Sequence, residues 1–487
     1  MKDGHLFKKG VQWVFGGNLG AKAFEFIFGV ILARLLMPED FGHVITVQIF
    51  TGIASLLLSG GLSSALIQAK EVSSRDFHVV FTFQLVLGIA IFFGFYFLSN
   101  LIAASFEDGI LSDLIKVSAI GFLLKPFLGM PNALLQRVLN FKAITQGRIL
   151  SMFVGGILSV LMALSGYGVW SLVFGGLIGS MTNIIYLMWR SKWTPLLVFD
   201  LRVLTKYSSF GVKVSLNDIA AYLREQSVNF IISKWIGVAA VGLYNKGFSL
   251  SAMPMQIIGG SVNQPLFRQV ARSIDDIGEL KYYYGRSLFI VTFYTLPIYV
   301  GMWWLAESFI INVFGAHWAG SAPVLKILVL TGLFRCMINP SGAVAEGTKN
   351  VGRQLLIAIE VLLLLVILTW FLFPYGLDMV AYGVVIVFSY HAFRLSGLTS
   401  RVLGVRRYDL IKEMAPALLT CLIMFIVMYI MDYLMIILDV DSVSMTYFFV
   451  LFSAGGMAYA ISAFLLPISV LRVEANRWRV MIESKVL

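Results

Sequence analysis

Nine ionisable side chains fall in stretches of this chain that are otherwise apolar. Six are cations, Lys22, Lys125, Lys213, Arg224, Lys246 and Arg335, and three are acids, Glu25, Asp218 and Glu225. A cavity lined by this set has a positive excess and selects an anion. Arginine suits phosphate because its planar fork can bond two oxygens, whereas lysine acts as a point charge. A pyrophosphate is therefore a better match than a cationic drug, and Asn217, with Gln and Tyr nearby, suits sugar hydroxyls. Glu25, Asp218 and Glu225 are candidates for ion coupling, since a carboxylate in such a setting can titrate. The bland reading is that Lys22–Glu25, and Arg224 with Glu225 or Asp218, are internal ion pairs holding helices together.

Spacing gathers these residues on faces. Asn18, Lys22 and Glu25 recur at i, i+4 and i+7, so they share one side of a helix. Between 205 and 235, Lys213, Asn217 and Arg224 form one stripe and Asp218, Glu225 and Asn229 the stripe beside it. Val212, Leu216, Ile219, Leu223 and Phe230 lie opposite. A charge at a bilayer centre costs about 3 kcal/mol or more, so a crossing helix of this kind must turn its polar side to a bundle or a wet cavity. A helix lying flat on the membrane surface is the alternative.

The elements that must position these residues are membrane helices. Of 487 residues, 59% are hydrophobic and 13% charged, against roughly 25% charged in soluble domains. No long polar block forms a separate soluble domain. Fourteen segments are long enough for a hydrocarbon core of ~30 Å. They lie near 11–35, 41–66, 77–104, 111–137, 142–165, 167–189, 206–235, 240–265, 284–312, 321–347, 352–374, 377–400, 409–432 and 446–469. The expected class is an all-α membrane protein with 14 transmembrane helices. With the amino terminus cytoplasmic, 26 of the 37 basic residues fall at cytoplasmic ends and loops. Arg34, Lys116 and Lys234 fall on the other side. That bias puts both termini in the cytoplasm. It also puts the basic loops 190–206 and 268–286 on one side. An even number of crossings must separate them, and 240–267 supplies one, so 205–235 must cross as well.

Two stretches repeat in parallel. Ile31 to Gly42 matches Ile231 to Gly242, pairing Arg34 with Lys234 and Gly42 with Gly242. At the same offset Glu25 falls on Glu225 and Asp76 on Asp276. At an offset of 210, Lys116 falls on Lys326 and Lys125 on Arg335. The expected organisation is two six-helix parallel-repeat lobes, 1–200 and 201–404, with two appended helices and a tail in 405–487. Lobes so related enclose a site at their interface.

Other chemistry is not called for. Cys336 and Cys421 lie in apolar segments and imply no disulfide or metal cluster. There is no P-loop, His-Glu-x-x-His or Cys-x-x-Cys. Asp439-Val-Asp441 has metal-pair spacing but is placed on the outer face by the charge count. The reading contains no catalytic residues, no metal site and no cofactor. The +11 charge is explained by topology signals, so no nucleic-acid partner is expected.

Leu32-Ala-Arg-Leu-Leu-Met-Pro-Glu-Asp-Phe-Gly42, Ser63-Ser-Ala-Leu-Ile-Gln-Ala-Lys-Glu71, Phe314-Gly-Ala-His-Trp318 and Asn339-Pro-Ser-Gly342 resemble, in the same order, stretches of the Wzx-type polysaccharide exporters. These exporters belong to the MOP superfamily, and the colanic-acid and teichuronic-acid branch is the most similar. The resemblance spans nearly the whole chain and implies a MATE-like fold in a bacterial inner membrane. It implies a flippase that moves an undecaprenyl-pyrophosphate-linked oligosaccharide outward by alternating access. Proton or sodium coupling, membrane lipids and a polysaccharide polymerase are the partners that accompany this reading. Two rivals stand beside it. A MATE-like multidrug or cation antiporter predicts an acid-dominated cavity. A membrane polymerase or glycosyltransferase predicts a large loop carrying catalytic residues.

Overall fold

The computed structural model describes residues 20–59, 61–274, 276–466 and 471. Within 205–220 it describes the backbone, but not the side chains of 209, 210, 212–214, 216 and 217. Every described secondary-structure element is helical. The chain divides into two compact units, Met1–Gly242 and Leu243–Leu487.

The first unit begins with α1, residues 20–35. It continues with α2 (Pro38–Ser59), α3 (Leu62–Gln68), α4 (Ser74–Phe106), α5 (Ile110–Arg137), α6 (Phe141–Leu164), α7 (Val169–Ser191) and α8 (Leu201–Trp235). Polar caps set several starts. Ser73 and Asp76 close a capping box on α4, and Asn140 and Asp200 accept backbone N–H bonds at α6 and α8. The segment expected as one span over 41–66 is broken between α2 and α3, where Gly61 has φ +57°. That left-handed conformation is natural to glycine and ends α2. On α6 and α7, Gly155, Gly175 and Gly179 bring the two backbones together. Ser151 Oγ donates to the Gly179 carbonyl at 2.6 Å.

The course of α8 within this unit is fixed by contacts along its length. Near its start the Tyr207 hydroxyl donates to Asp76 at 2.7 Å. Gly211 lies against Gly61, Tyr222 covers Gly52 and donates to the Gln48 carbonyl, and the Ser233 and Thr46 hydroxyls are 2.5 Å apart. So α8 runs antiparallel to α2–α3 from end to end and traverses the thickness they traverse. It does not lie across their ends as a flat surface helix would. The buried side of α8 mixes Gly211, Ser215, Asn229 and Ser233 with Tyr207, Val228, Ile231 and Ile232, while the apolar Leu223 is 45% exposed. The small residues let the backbones approach closely, as helix interfaces in a membrane favour.

The second unit contains most of α9 (Val238–Arg272), then α10 (Ile277–Phe314), α11 (Ser321–Leu328), α12 (Thr331–Gly347), α13 (Val351–Leu372), α14 (Leu377–Leu403), α15 (Arg407–Ile437) and α16 (Met445–Leu465). Its core is sulfur- and aromatic-rich. Phe289 and Phe293 of α10 pack with Met424 and Met428 of α15 and Tyr459 of α16. The α11–α12 pair is bent by 47°.

Among the described residues, nine helices are long and apolar enough to cross a membrane, or ten if the bent pair is one span. The protein is therefore multi-pass. Helices α5, α8 and α9 have the length but not the composition, because they carry the polar residues singled out above.

Candidate functional site

Lys22 and Glu25 lie one turn apart on α1. Lys22 Nζ is 2.9 Å from Glu25 Oε2, and the side chains are 52% and 60% exposed, so the pair stands off the packed interior of its unit. Asn18, expected on the same face, lies outside the described residues. On α8 the seam against α2 leaves Asp218 and Glu225 exposed and Arg224 half-buried. Among the described residues no ion pair joins Arg224 to either acid, and its guanidinium has no hydrogen-bond partner. The side chains of Lys213 and Asn217 lie outside the described residues.

Lys125 is built into the unit's interior, on α5. Its ammonium donates to the Ser55 carbonyl of α2 at 2.6 Å. The last carbonyls of a helix have no partner within it, and α2 ends in the middle of an apolar bundle. Two side chains serve that end, and Lys125 adds a second donor to Ser55, the carbonyl just before it. Ser59 Oγ donates to the Leu56 carbonyl at 2.8 Å, Gln84 Nε2 to the Ser59 carbonyl at 3.0 Å, and Lys125 to Ser55. Positive charge is also favoured at a helix carboxyl end by the backbone dipoles. Arg137 treats α3 alike, with Nη1 donating to the Leu66 and Ala69 carbonyls at 2.6 and 2.7 Å. Sequence reading missed this broken helix; the Gly60-Gly61 pair was its signal.

In the second unit Lys246, on α9, holds its ammonium 4.6 Å from the ring centroids of both Phe314 and Trp318. Arg335, on α12, lies over Phe388 of α14 at 4.3 Å and Phe248 of α9 at 5.5 Å, and its Nε donates to Thr331 at 3.0 Å. Such cation–aromatic contacts hold a cation in an apolar interior without neutralising it. Glu360 is paired with Arg394 at 2.8 Å across α13 and α14, with Tyr390 donating to the same carboxylate.

One further arrangement joins two glycines 200 residues apart in the chain. A Cβ on Gly42 would overlap the Val238 carbonyl, and a Cβ on Gly242 would overlap the Pro38 carbonyl. Pro38 and Val238, like Gly42 and Gly242, are 200 residues apart. The contact is thus reciprocal, with each glycine receiving the backbone four residues before the other. Thr46 and Ser233 extend it by one turn on each side.

Bent and broken apolar helices that enclose cations, Lys125 on a backbone carbonyl and Lys246 and Arg335 against aromatic rings, are the features of a membrane transport protein. The chain belongs to a polysaccharide biosynthesis protein family, whose profile matches residues 31–323. It is 25% identical to the succinoglycan biosynthesis transport protein ExoT of Rhizobium meliloti over 345 residues, 71% of this chain and 69% of that one. It is also 25% identical to the lipopolysaccharide biosynthesis protein WzxC of Escherichia coli over 327 residues, 66% of each chain. Among solved structures the fold is similar to the lipid II flippase MurJ in an inward closed conformation, with TM-score 0.79 at 17% identity, over 93% of this chain and 98% of that one.

Proposed function

We propose that the chain flips an undecaprenyl-pyrophosphate-linked oligosaccharide repeat unit from the cytoplasmic to the outer leaflet of a bacterial inner membrane. Fourteen crossings are arranged as two parallel-repeat lobes, 1–200 and 201–404, with two helices in 405–487 and both termini cytoplasmic. Family membership and the transport and flippase names of the similar proteins support this reading. The observation that carries it is Arg224. This half-buried guanidinium stands on a helix that traverses its bundle, beside two carboxylates, and pairs with neither among the described residues. A cation kept out of internal ion pairs at membrane depth is available to an anion.

Arg224, with Lys213 and Asn217 on its stripe and Lys22 on α1, contacts the pyrophosphate and the first sugars. The prenyl chain stays in lipid. Lys125 adds positive potential from behind this wall, and Lys246 adds cationic charge within the second unit. Glu25, Asp218 and Glu225 titrate or bind sodium and couple the cycle to an ion gradient. The reciprocal Gly42–Gly242 contact closes the outer side. Backbones that meet without interdigitating side chains can part by rigid movement, as alternating access requires. A polysaccharide polymerase receives the product. The MATE-like antiporter reading is disfavoured by the surplus of cations over acids.

The test is Arg224→Ala in the native host. Export stops, the protein remains in the membrane, and the prenyl-linked repeat unit accumulates. Undiminished polysaccharide output from this variant removes Arg224 from the mechanism.

A further inference from the structure

Arg335 is half-buried in the second unit, and among the described residues its surroundings leave it unneutralised. Its Nη2 is buried and has no hydrogen-bond partner. No carboxylate is ion-paired with it among the described residues; the groups within electrostatic reach are the hydroxyls of Tyr299 and Tyr244. Tyr299, on α10, also has a buried hydroxyl, which lies beside the Met255 backbone without a well-formed hydrogen bond. The two side chains belong to one contact. A Cβ on Gly332 would fall inside the Tyr299 ring, and Gly332 is one turn before Arg335 on the same face of α12. The adjoining turn is equally close, with Thr295 Oγ1 3.1 Å from Cys336 Sγ. Phe388 and Phe248 cover the guanidinium, and Tyr244 stacks on Phe248 at 5.9 Å.

Two buried donors and one uncompensated positive charge call for an acceptor that is negative. Water could satisfy the hydrogen bonds but would leave the charge, the costliest part of such a burial. One guanidinium neutralises one negative charge, so the ligand is monovalent. Nη2 itself has no exposed surface, so a ligand lodged against it is small, unlike a pyrophosphate bearing an oligosaccharide. We propose that the second bundle holds a small monovalent inorganic anion of the chloride class between Arg335 Nη2 and the Tyr299 hydroxyl, among α9, α10, α12 and α14. The site does not depend on what cargo the protein carries. By binding the assembled bundle and not its unfolded form, the anion stabilises the packing of α12 against α10.

The experiment uses the full chain in lipid nanodiscs without cargo. Thermal unfolding is followed as sodium chloride or sodium bromide replaces sodium gluconate at constant ionic strength. Chloride and bromide raise the unfolding temperature saturably. Arg335→Gln abolishes the rise. Tyr299→Phe, which keeps the ring on Gly332 and removes only the hydroxyl, shifts half-saturation several-fold to higher chloride while leaving the gluconate value unchanged. Should Arg335→Gln not fold, Tyr299→Phe and the anomalous signal of bromide beside Nη2 decide the matter. An unfolding temperature indifferent to the anion, or an equal response in both variants and the parent, overturns the site. Protection by a prenyl pyrophosphate but not by chloride, lost in Arg335→Gln, also overturns it and moves Arg335 to the cargo wall. Because no cargo enters the chloride titration, its failure leaves the flippase reading untouched.

Discussion

Replacing Gly242 with leucine tests whether the seam between repeat mates is the outer closure. The added Cβ would overlap the Pro38 carbonyl and crowd the Gly42 nitrogen at 3.2 Å. Ordinary carbon contacts need about 3.5 Å, so the backbones must part by about an ångström or more. Both obstructing atoms are backbone, so no side chain can swing away. Overpacking of this kind costs ~1–3 kcal/mol. Charged only to the closed state, that cost lowers its population about 5- to 150-fold relative to the open one. The assay is the labelling rate of Thr46→Cys by a membrane-impermeant thiol reagent added outside intact cells. Thr46 is buried one turn below the seam, and the native Cys336 and Cys421 are also buried. Labelling is slow in the parent and accelerates in Gly242→Leu and in Gly42→Leu. Gly94→Leu, whose Cβ meets nothing within 4 Å, serves as the control and leaves the rate unchanged. Equal slow labelling in all four, with normal export, would refute the closure.

Three further outcomes follow from the same geometry. Lys125→Met removes a charged hydrogen bond to the Ser55 carbonyl near the end of α2. A charged hydrogen bond of this kind contributes about 1.5–3 kcal/mol, so the unfolding temperature falls, and Lys125→Arg recovers part of it in the same thermal scan. Glu360→Gln with Arg394→Gln, removing both members of a local pair together, leaves export within about two-fold of the parent, because partly exposed pairs contribute ~0–1 kcal/mol. Gly175→Leu would drive a side chain into Ser159 and the Gly155 carbonyl. It lowers the amount of folded protein in the membrane, read by fluorescence-detected size exclusion, by forcing α6 from α7.

Helix positions were legible from apolar length alone, because backbone groups in lipid must bond within their own segment. The α2–α3 break was not, since hydropathy averages over Gly61, whose left-handed backbone marks it. Basic-loop parity led to the expectation that 205–235 crosses, and the structure shows α8 running the length of α2–α3, although its composition alone suits a surface helix. Its packing face was not legible. Periodicity marks the side that avoids water, and here the buried side mixes Val228, Ile231 and Ile232 with Gly211, Ser215, Asn229 and Ser233. The candidate site divides the same way. Residue type identified Lys22, Arg224 and Arg335 as cations in apolar segments, but only coordinates separate a partly exposed Arg224 from a Lys125 committed to a carbonyl. The reciprocal glycine contact was half legible. The sequence pairs Gly42 with Gly242, and nothing in a repeat says that the two copies touch.

The central claim is that a cationic wall including Arg224 carries a pyrophosphate-linked sugar across the bilayer. It is tested most directly by reconstituting the purified chain in liposomes with a labelled undecaprenyl-pyrophosphate oligosaccharide and measuring the fraction in the outer leaflet over time. Wild-type protein equilibrates the leaflets, Arg224→Ala slows this at least ten-fold, and an uncharged prenyl glycoside is left behind by both. Equal rates for wild type and Arg224→Ala, or equal transport of the uncharged glycoside, would contradict the account.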